Sequence, residues 1–282
     1  MTRTAFFLLF LVFAAAQHSA FAAVVEITLA SKIPVTAEYK PGAPNKPALL
    51  LVHGFLQTRE FPTIQRLAHS LSEEGYTILA PTLSLAVPKR KQSLACEAIH
   101  SHSYATDIAE LATWVDWLAQ RGHTSIVLIG HSFGSLQSLS YIARAPNSAV
   151  RALISLSLVD AGDIWNNPHQ RALREAKARI RAGNRGLFSP PFAFCRSFPT
   201  TPENYLSYAQ WDRQKILHLL SQAKIRNHII IGGEDNRMGH DWPAKLRAHG
   251  ASVTVIEGAN HFFDDQYEFD LLETVLAVLR VS

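Results

Sequence analysis

The chain has 282 residues, of which 48% are hydrophobic and 18% charged, enough for one large α/β domain or two small ones. This composition excludes an intrinsically disordered chain. A net charge of only +4 gives no reason to expect a nucleic-acid partner.

The N-terminal segment, residues 1–22, has the pattern of a secretory signal peptide. Arg3 precedes an apolar run from Ala5 to Ala16, and small residues flank Phe21 as a signal peptidase requires. The run is shorter than the roughly 20 residues of a bilayer span, so we expect cleavage after Ala22 and no stable membrane anchor. The exported protein, periplasmic or secreted, would keep 26 basic and 23 acidic residues, a net charge of +3.

The remaining residues, 23–282, are predicted to form a domain in which strands alternate with helices. Apolar, β-branched runs predict strands, and apolar residues spaced i, i+3, i+4, i+7 predict helices. In the first half, strands are predicted at 24–29, 33–39, 47–52 and 76–80, and helices at 61–74 and 104–120. The first two strands resemble an edge hairpin, and the strand–helix–strand order that follows is typical of a parallel sheet.

The centre of the sequence is a predicted buried strand at 125–130 that runs through Gly-His-Ser-Phe-Gly into a helix. A serine at such a corner, here Ser132, is held in a strained backbone conformation with its hydroxyl projecting from the sheet edge. A Cβ at Gly130 or Gly134 would crowd the turn. The Phe133 amide, at the start of the helix, faces a negative oxygen beside the serine. An ordinary strand–turn–helix junction with a surface serine is the alternative.

The alternation of strands and helices stops after a strand at 150–159 and returns at 228–232. Residues 163–224 are therefore interpreted as an insertion, and their proline and aromatic content favours a cap or lid over an apolar pocket. A helical excursion with no role in binding is the alternative. The basic face of its first helix is expected to be a solvated surface. The chain then continues with a helix at 242–249, a strand at 252–256 and a closing helix at 267–279.

Three residues suited to nucleophilic catalysis follow three predicted strands: Ser132, Asp235 and His261. Loops after parallel strands meet at the carboxyl edge of the sheet, where ligands of open α/β folds bind. An imidazole can take the proton of a serine hydroxyl, and a carboxylate behind it fixes the tautomer. Asp160 or Asp163, after the preceding strand, could supply the acid instead.

These segments resemble those of the α/β-hydrolase superfamily, in particular of its serine esterase- and lipase-like members. The motifs that carry the resemblance are Leu51-Val52-His53-Gly54-Phe55, Gly130-His131-Ser132-Phe133-Gly134, Gly232-Gly233-Glu234-Asp235 and Gly258-Ala259-Asn260-His261-Phe262. The resemblance implies an α/β-hydrolase fold: a mostly parallel, eight-stranded sheet with one antiparallel edge strand, helices on both faces and a cap after the sixth strand. It also implies Ser132 as nucleophile, His261 as base and then acid, Asp235 as the orienting carboxylate, and an oxyanion hole formed by the amides of Phe55 and Phe133.

The two cysteines and the neighbouring histidines allow two further expectations. In an oxidising compartment Cys96 and Cys195 would pair as a disulfide, the alternative being two buried free thiols. His100 and His102 could be combined with Cys96 as zinc ligands, but no fourth ligand is evident, so both histidines are expected near the pocket rim or in solvent. No metal and no cofactor is expected, since nucleotide-binding motifs are also missing from the sequence.

The resulting hypothesis is a secreted or periplasmic serine hydrolase that cleaves a carboxylic ester, or a related acyl bond, through an acyl-enzyme intermediate. The substrate is expected to be a small acyl compound with an apolar group. The rival hypothesis is a catalytically silent binding protein on the same fold.

Overall fold

The structure, a computed structural model, describes residues 22–144, 146–161 and 166–281. All of the expected signal peptide except Ala22 lies outside these ranges, and so does Asp163, one of the alternative acids. Within the described ranges, no helix has both the length and the apolar character that a membrane crossing requires.

Eight strands form one sheet in the order β1-β2-β4-β3-β5-β6-β7-β8. The strands are β1 (Ala23–Thr28), β2 (Pro34–Lys40), β3 (Ala48–Val52), β4 (Thr77–Thr82), β5 (Ile126–His131), β6 (Val150–Leu156), β7 (Arg226–Gly232) and β8 (Ser252–Ile256). From β4 to β8 all neighbours are parallel, which confirms the mostly parallel eight-stranded sheet.

The one reversed strand, β2, is not at the edge of the sheet as the resemblance implied. It pairs antiparallel with β4 on one side and with β1 on the other. The outermost strand, β1, is antiparallel to β2 and therefore runs in the same direction as β4.

Helices cover both faces of the sheet. They are α1 (Pro62–Glu73), α2 (Tyr104–Gln120), α3 (Phe133–Ile142), α4 (Asn166–Arg181), α5 (Pro202–Ala209), α6 (Arg213–Gln222), α7 (Trp242–Ala248) and α8 (Tyr267–Arg280). In β3, Leu49 and Leu51 pack with α1 and α8, whereas Leu50 and Val52 pack with α2 and α3. Successive side chains of a strand point to opposite faces, so this fully apolar strand is buried on both sides.

The segment between β6 and β7 contains α4, α5 and α6, in the region where the sequence predicts an insertion. Its buried aromatic residues join the same core as α2 and α3, on one face of the sheet: Phe188, Phe192, Phe198, Tyr205, Tyr208 and Trp211. The basic side chains of α4 mostly face solvent, as Arg171, Arg174 and Lys177 do. The insertion is thus a packed layer with a cationic outer surface.

A disulfide joins this insertion to the loop between β4 and α2. Cys96 and Cys195 are 99 residues apart in sequence, and their Cα atoms are 5.3 Å apart. Cys195 closes a tight hairpin through a backbone bridge with Phe192. The covalent bond therefore restricts a long loop of the unfolded chain.

Replacing both cysteines, Cys96→Ser with Cys195→Ser, should lower the free energy of unfolding by about 4 kcal/mol. Without the disulfide, a loop of about 100 residues is no longer closed in the unfolded chain, whose conformational entropy rises accordingly. Denaturant unfolding with and without reductant measures the change. Reductant should destabilise the wild type and leave the double variant unaffected. Equal stability of the two proteins would contradict the expectation.

Candidate active site

Ser132 occupies the sharp corner between β5 and α3. Its backbone angles are φ 55° and ψ −118°, a conformation that non-glycine residues rarely adopt. A Cβ on Gly130 would lie 2.5 Å from the backbone of Gly134, and one on Gly134 would lie 2.4 Å from the Val52 carbonyl oxygen. Both glycines are therefore required by close backbone packing, as the sequence predicts.

Asp235 and His261 form a directly hydrogen-bonded pair. Asp235 follows β7 and His261 follows β8, and the His261 Nδ1–H donates to Asp235 Oδ2 over 2.6 Å. Only 4% of each side chain is exposed. The other carboxylate oxygen, Oδ1, accepts from the amide and the guanidinium of Arg237, each at 3.3 Å. With Nδ1 as the donor, the Nε2 lone pair of His261 is left to accept a proton.

The environment keeps this pair in the ionisation states that base catalysis requires. Burial lowers the pKa of His261 below its usual value, although the hydrogen bond and charge of Asp235 oppose that shift. Burial alone would raise the pKa of Asp235, but the hydrogen bond and charge of His261, with the charge of Arg237, lower it overall. At neutral pH the imidazole is thus neutral and the carboxylate is ionised.

Two residues to which the sequence assigns no role hold the His261 backbone. The His131 Nε2–H and the Ser157 hydroxyl each donate to the His261 carbonyl oxygen at 3.0 Å. Burial lowers the pKa of His131 to about 3, so this ring acts as a neutral donor. No sequence motif signals the pairing, because it joins residues 130 positions apart.

The position of His131 relates Ser132 to the Asp235–His261 pair. His131 immediately precedes Ser132, and its ring centroid is 5.1 Å from that of His261. Among the residues that the structure describes, the Ser132 hydroxyl has no hydrogen-bond partner, His261 included. Catalytic hydrogen bonds are often long or unformed without substrate, so the predicted serine–histidine proton transfer stays a prediction.

Phe55 and Phe133, the residues expected to form an oxyanion hole, are neighbours. Their ring centroids are 5.0 Å apart, and neither amide N–H is hydrogen bonded to a residue in the described ranges. Phe133 begins α3, and Phe55 follows the end of β3 by three residues. Two unsatisfied amides near a strained serine could bind a developing negative charge.

The alternative acids are placed elsewhere. Asp160 is fully buried, and its carboxylate lies 3.5 Å from Arg213 Nε. Glu234, next to Asp235 in the sequence, is exposed. Of the described carboxylates, Asp235 is therefore the one hydrogen bonded to His261.

A model of the alpha/beta hydrolase family matches residues 49–269. The chain belongs to the alpha/beta hydrolase family. None of the curated proteins compared matches its sequence.

Solved structures similar to this hydrolase share its fold at low sequence identity. Est1E from Butyrivibrio proteoclasticus is 16% identical with a TM-score of 0.63, covering 92% of this chain and 99% of its own. The thioesterase domain from the curacin biosynthetic pathway is 15% identical, with a TM-score of 0.64 and coverages of 93% and 100%. The alpha/beta hydrolase GrgF from Penicillium sp. sh18 is 15% identical, with a TM-score of 0.67 and coverages of 91% and 95%.

His100 and His102 lie in the interior of this hydrolase, so their expected position at a rim or in solvent is wrong. The ring of His100 stacks on Phe198 at 3.9 Å, and His102 Nδ1 is 2.5 Å from the Tyr208 hydroxyl, which donates to Asp107. Aromatic residues of the insertion bury both rings, which a loop sequence does not reveal. Cys96 is in the disulfide, and the described residues contain no cluster of three or more metal-ligating side chains.

Substitution of Asp235 by Asn should lower the pKa of His261, because the carboxylate favours the protonated ring. NMR titration of the His261 ring protons, assigned with His261→Gln, measures both values. The wild-type pKa should lie below 6.5, and the Asp235→Asn value should be lower still. An unchanged or higher value in the variant would contradict the assigned role of Asp235.

Proposed function

We propose that the protein is a secreted or periplasmic serine hydrolase that cleaves carboxylic esters through an acyl-enzyme intermediate. The observation that carries the proposal is the 2.6 Å Asp235–His261 hydrogen bond beside the strained Ser132 corner. In this proposal Ser132 is the nucleophile, His261 is the general base and then acid, and Asp235 orients the ring.

The reaction would proceed in two steps, acylation of Ser132 and hydrolysis of the acyl-enzyme. Ser132 Oγ attacks the ester carbonyl carbon while its proton passes to His261 Nε2, and the carbonyl oxygen becomes an oxyanion facing the amides of Phe55 and Phe133. The intermediate collapses to the acyl-enzyme, and His261 returns the proton to the departing alcohol oxygen. A water molecule then repeats the sequence, releasing the acid and restoring Ser132.

The structural neighbours support hydrolysis of an acyl bond without fixing the leaving group. One is a thioesterase domain, and Est1E is also solved with ferulic acid bound. Thioesters, amides and esters can all be cleaved by the same set of side chains. We propose an ester because the site presents apolar aromatic surface next to the proposed oxyanion donors.

That aromatic surface includes Phe55 and three of the four phenylalanines in contact with it. The rings of Phe133, Phe192 and Phe194 lie 5.0, 5.3 and 5.7 Å from that of Phe55. Phe194 is 62% exposed, at the tip of the hairpin that Cys195 closes. An exposed phenyl ring beside the site favours a substrate with an apolar acyl or alcohol group.

Export is part of the proposal and is supported by the N-terminal sequence pattern and by the disulfide. The rival, a silent binding protein of the same fold, would have no need of a low-pKa carboxylate hydrogen bonded to a neutral buried imidazole. Activity measurements separate the two.

A fluorophosphonate probe should label the wild-type protein at Ser132 and should not label Ser132→Ala, because the probe phosphonylates an activated serine. Gel fluorescence and peptide mass mapping measure the labelled site. Ser138→Ala, which alters a buried serine of α3 whose hydroxyl has no hydrogen-bond partner among the described residues, should retain labelling. Equal labelling of wild type and Ser132→Ala would remove Ser132 as the nucleophile.

A series of p-nitrophenyl esters of increasing chain length should show kcat/KM rising with length in the wild type. Phe194→Ala should lower kcat/KM for the long-chain esters about tenfold and should change kcat/KM for the acetate little. The lost ring would contact only the longer groups. Phe269→Ala is the matched control: this residue is 72% exposed on α8, on the other face of the sheet. Absence of activity at every length would favour the silent binding protein.

A further inference from the structure

Arg90 is a buried cation, although the residues on either side of it are exposed. It lies in the loop between β4 and α2 and is 4% exposed, whereas the neighbouring Lys91 is exposed. Its guanidinium makes five polar contacts: Nε with Leu83 O (2.8 Å), Nη1 with Gln92 O (2.9 Å) and Leu56 O (3.3 Å), and Nη2 with Gln57 O (2.6 Å) and His53 Nε2 (3.3 Å). Three of these contacts are with residues 53–57, here called the oxyanion loop.

The Leu83 amide and Arg90 together fix the tautomer of the His53 ring. His53 Nε2 faces two donors, the Leu83 amide at 3.0 Å and Arg90 Nη2, so it must be an unprotonated acceptor. The proton is therefore on Nδ1, which donates to the Gly54 carbonyl oxygen at 2.8 Å. Burial, followed by the charge of Arg90, lowers the pKa of His53 to about 3, so this arrangement persists at neutral pH.

This hydrogen bond determines where the Phe55 amide points. The structure contains no cis peptide bond in its described residues, and in a planar trans peptide the carbonyl and the following N–H point in opposite directions. Because His53 holds the Gly54 carbonyl, the Phe55 N–H is directed away from His53. The direction of the Phe55 N–H is thus set by a ring that the Leu83 amide and Arg90 hold.

Arg90 also holds the loop on the other side of Phe55. Leu56 has φ 58°, a left-handed conformation that is costly for a leucine. Its carbonyl oxygen accepts from the Leu94 amide at 3.0 Å as well as from Arg90 Nη1, and the next carbonyl, of Gln57, accepts from Nη2. Such a strained residue persists only when its surroundings hold it.

We propose that Arg90 is a positioning residue for transition-state stabilisation: by holding His53 and the carbonyls of Leu56 and Gln57, it aims the Phe55 amide at the oxyanion. This inference rests on the proposed serine-hydrolase function and deepens it. Arg90 does not touch the substrate. It acts through the backbone of the oxyanion loop.

The geometry requires a guanidinium rather than a general cation. A planar fork with five N–H donors can serve carbonyls in several directions, whereas a lysine ammonium offers three donors from one point. Burial lowers the pKa of Arg90 to about 10, with the charges of Glu110 and Asp107 opposing the shift, so the group stays charged at neutral pH. Arg90→Lys therefore keeps the charge and loses most of the contacts.

The test compares Arg90→Lys and Arg90→Gln with Lys91→Gln, which alters the exposed neighbour. For each folded protein we would measure kcat and KM for a p-nitrophenyl ester, and the affinity for a trifluoromethyl ketone, which forms a tetrahedral oxyanion adduct with an active serine. The Arg90 variants should lose about 10- to 100-fold in kcat, with KM changed less than about threefold, because a misdirected oxyanion donor affects the transition state. Affinity for the ketone should fall by a similar factor, and Lys91→Gln should match the wild type.

Each other outcome has a defined meaning. Wild type without turnover or fluorophosphonate labelling would refute the serine-hydrolase proposal itself. An active wild type with an equally active Arg90→Lys and Arg90→Gln, or a loss confined to KM, would overturn only the positioning role. Failure of both Arg90 variants to fold, with Lys91→Gln folded, would assign Arg90 to loop stability and would likewise overturn its role in the reaction.

Discussion

The packing of Gly134 against the end of β3 is the contact on which the rest of the site depends. A Cβ on Gly134 would lie 2.4 Å from the carbonyl oxygen of Val52 and 2.5 Å from that of His53, so only a residue without a side chain fits. β3 continues directly into the oxyanion loop, and α3 begins at Phe133. The contact therefore sets the separation between the two segments that carry the proposed oxyanion donors. It also forces the strained turn at Ser132, because the chain must leave β5 and enter α3 within one residue.

Neutral buried histidines stabilise the loops around this corner. His53 and His131 each have a pKa of about 3, with burial as the largest cause, and each donates one ring N–H to a backbone carbonyl. An imidazole buried in this way supplies a directed hydrogen bond without the desolvation cost of a charge. Because neither ring gains a proton near neutral pH, these supporting hydrogen bonds stay constant there.

The sequence predicts what depends on local periodicity and on motif spacing, and it misses what depends on burial within loops. The parallel strands and the corner at Ser132 follow from apolar runs and from two glycines, and the structure has them. In Lys89-Arg90-Lys91, however, both lysines are exposed, and only tertiary packing selects Arg90 for burial. The expected positions of His100 and His102 are wrong for the same reason. Their partners, Phe198 and Tyr208, are about a hundred residues away in the sequence.

The disulfide connects the two structures that flank Phe55. Cys96 belongs to the loop that carries Arg90, and Cys195 closes the hairpin whose Phe194 ring contacts Phe55. Beside it, the amide of His100 donates to the Pro199 carbonyl at 2.8 Å, and the Thr200 hydroxyl donates to the His100 carbonyl at 2.7 Å. A lid that opened as one body would have to break these hydrogen bonds while still tied by the covalent bond. The disulfide and these hydrogen bonds together fasten the segment from Cys195 to Thr200 to the loop between β4 and α2, next to Phe55.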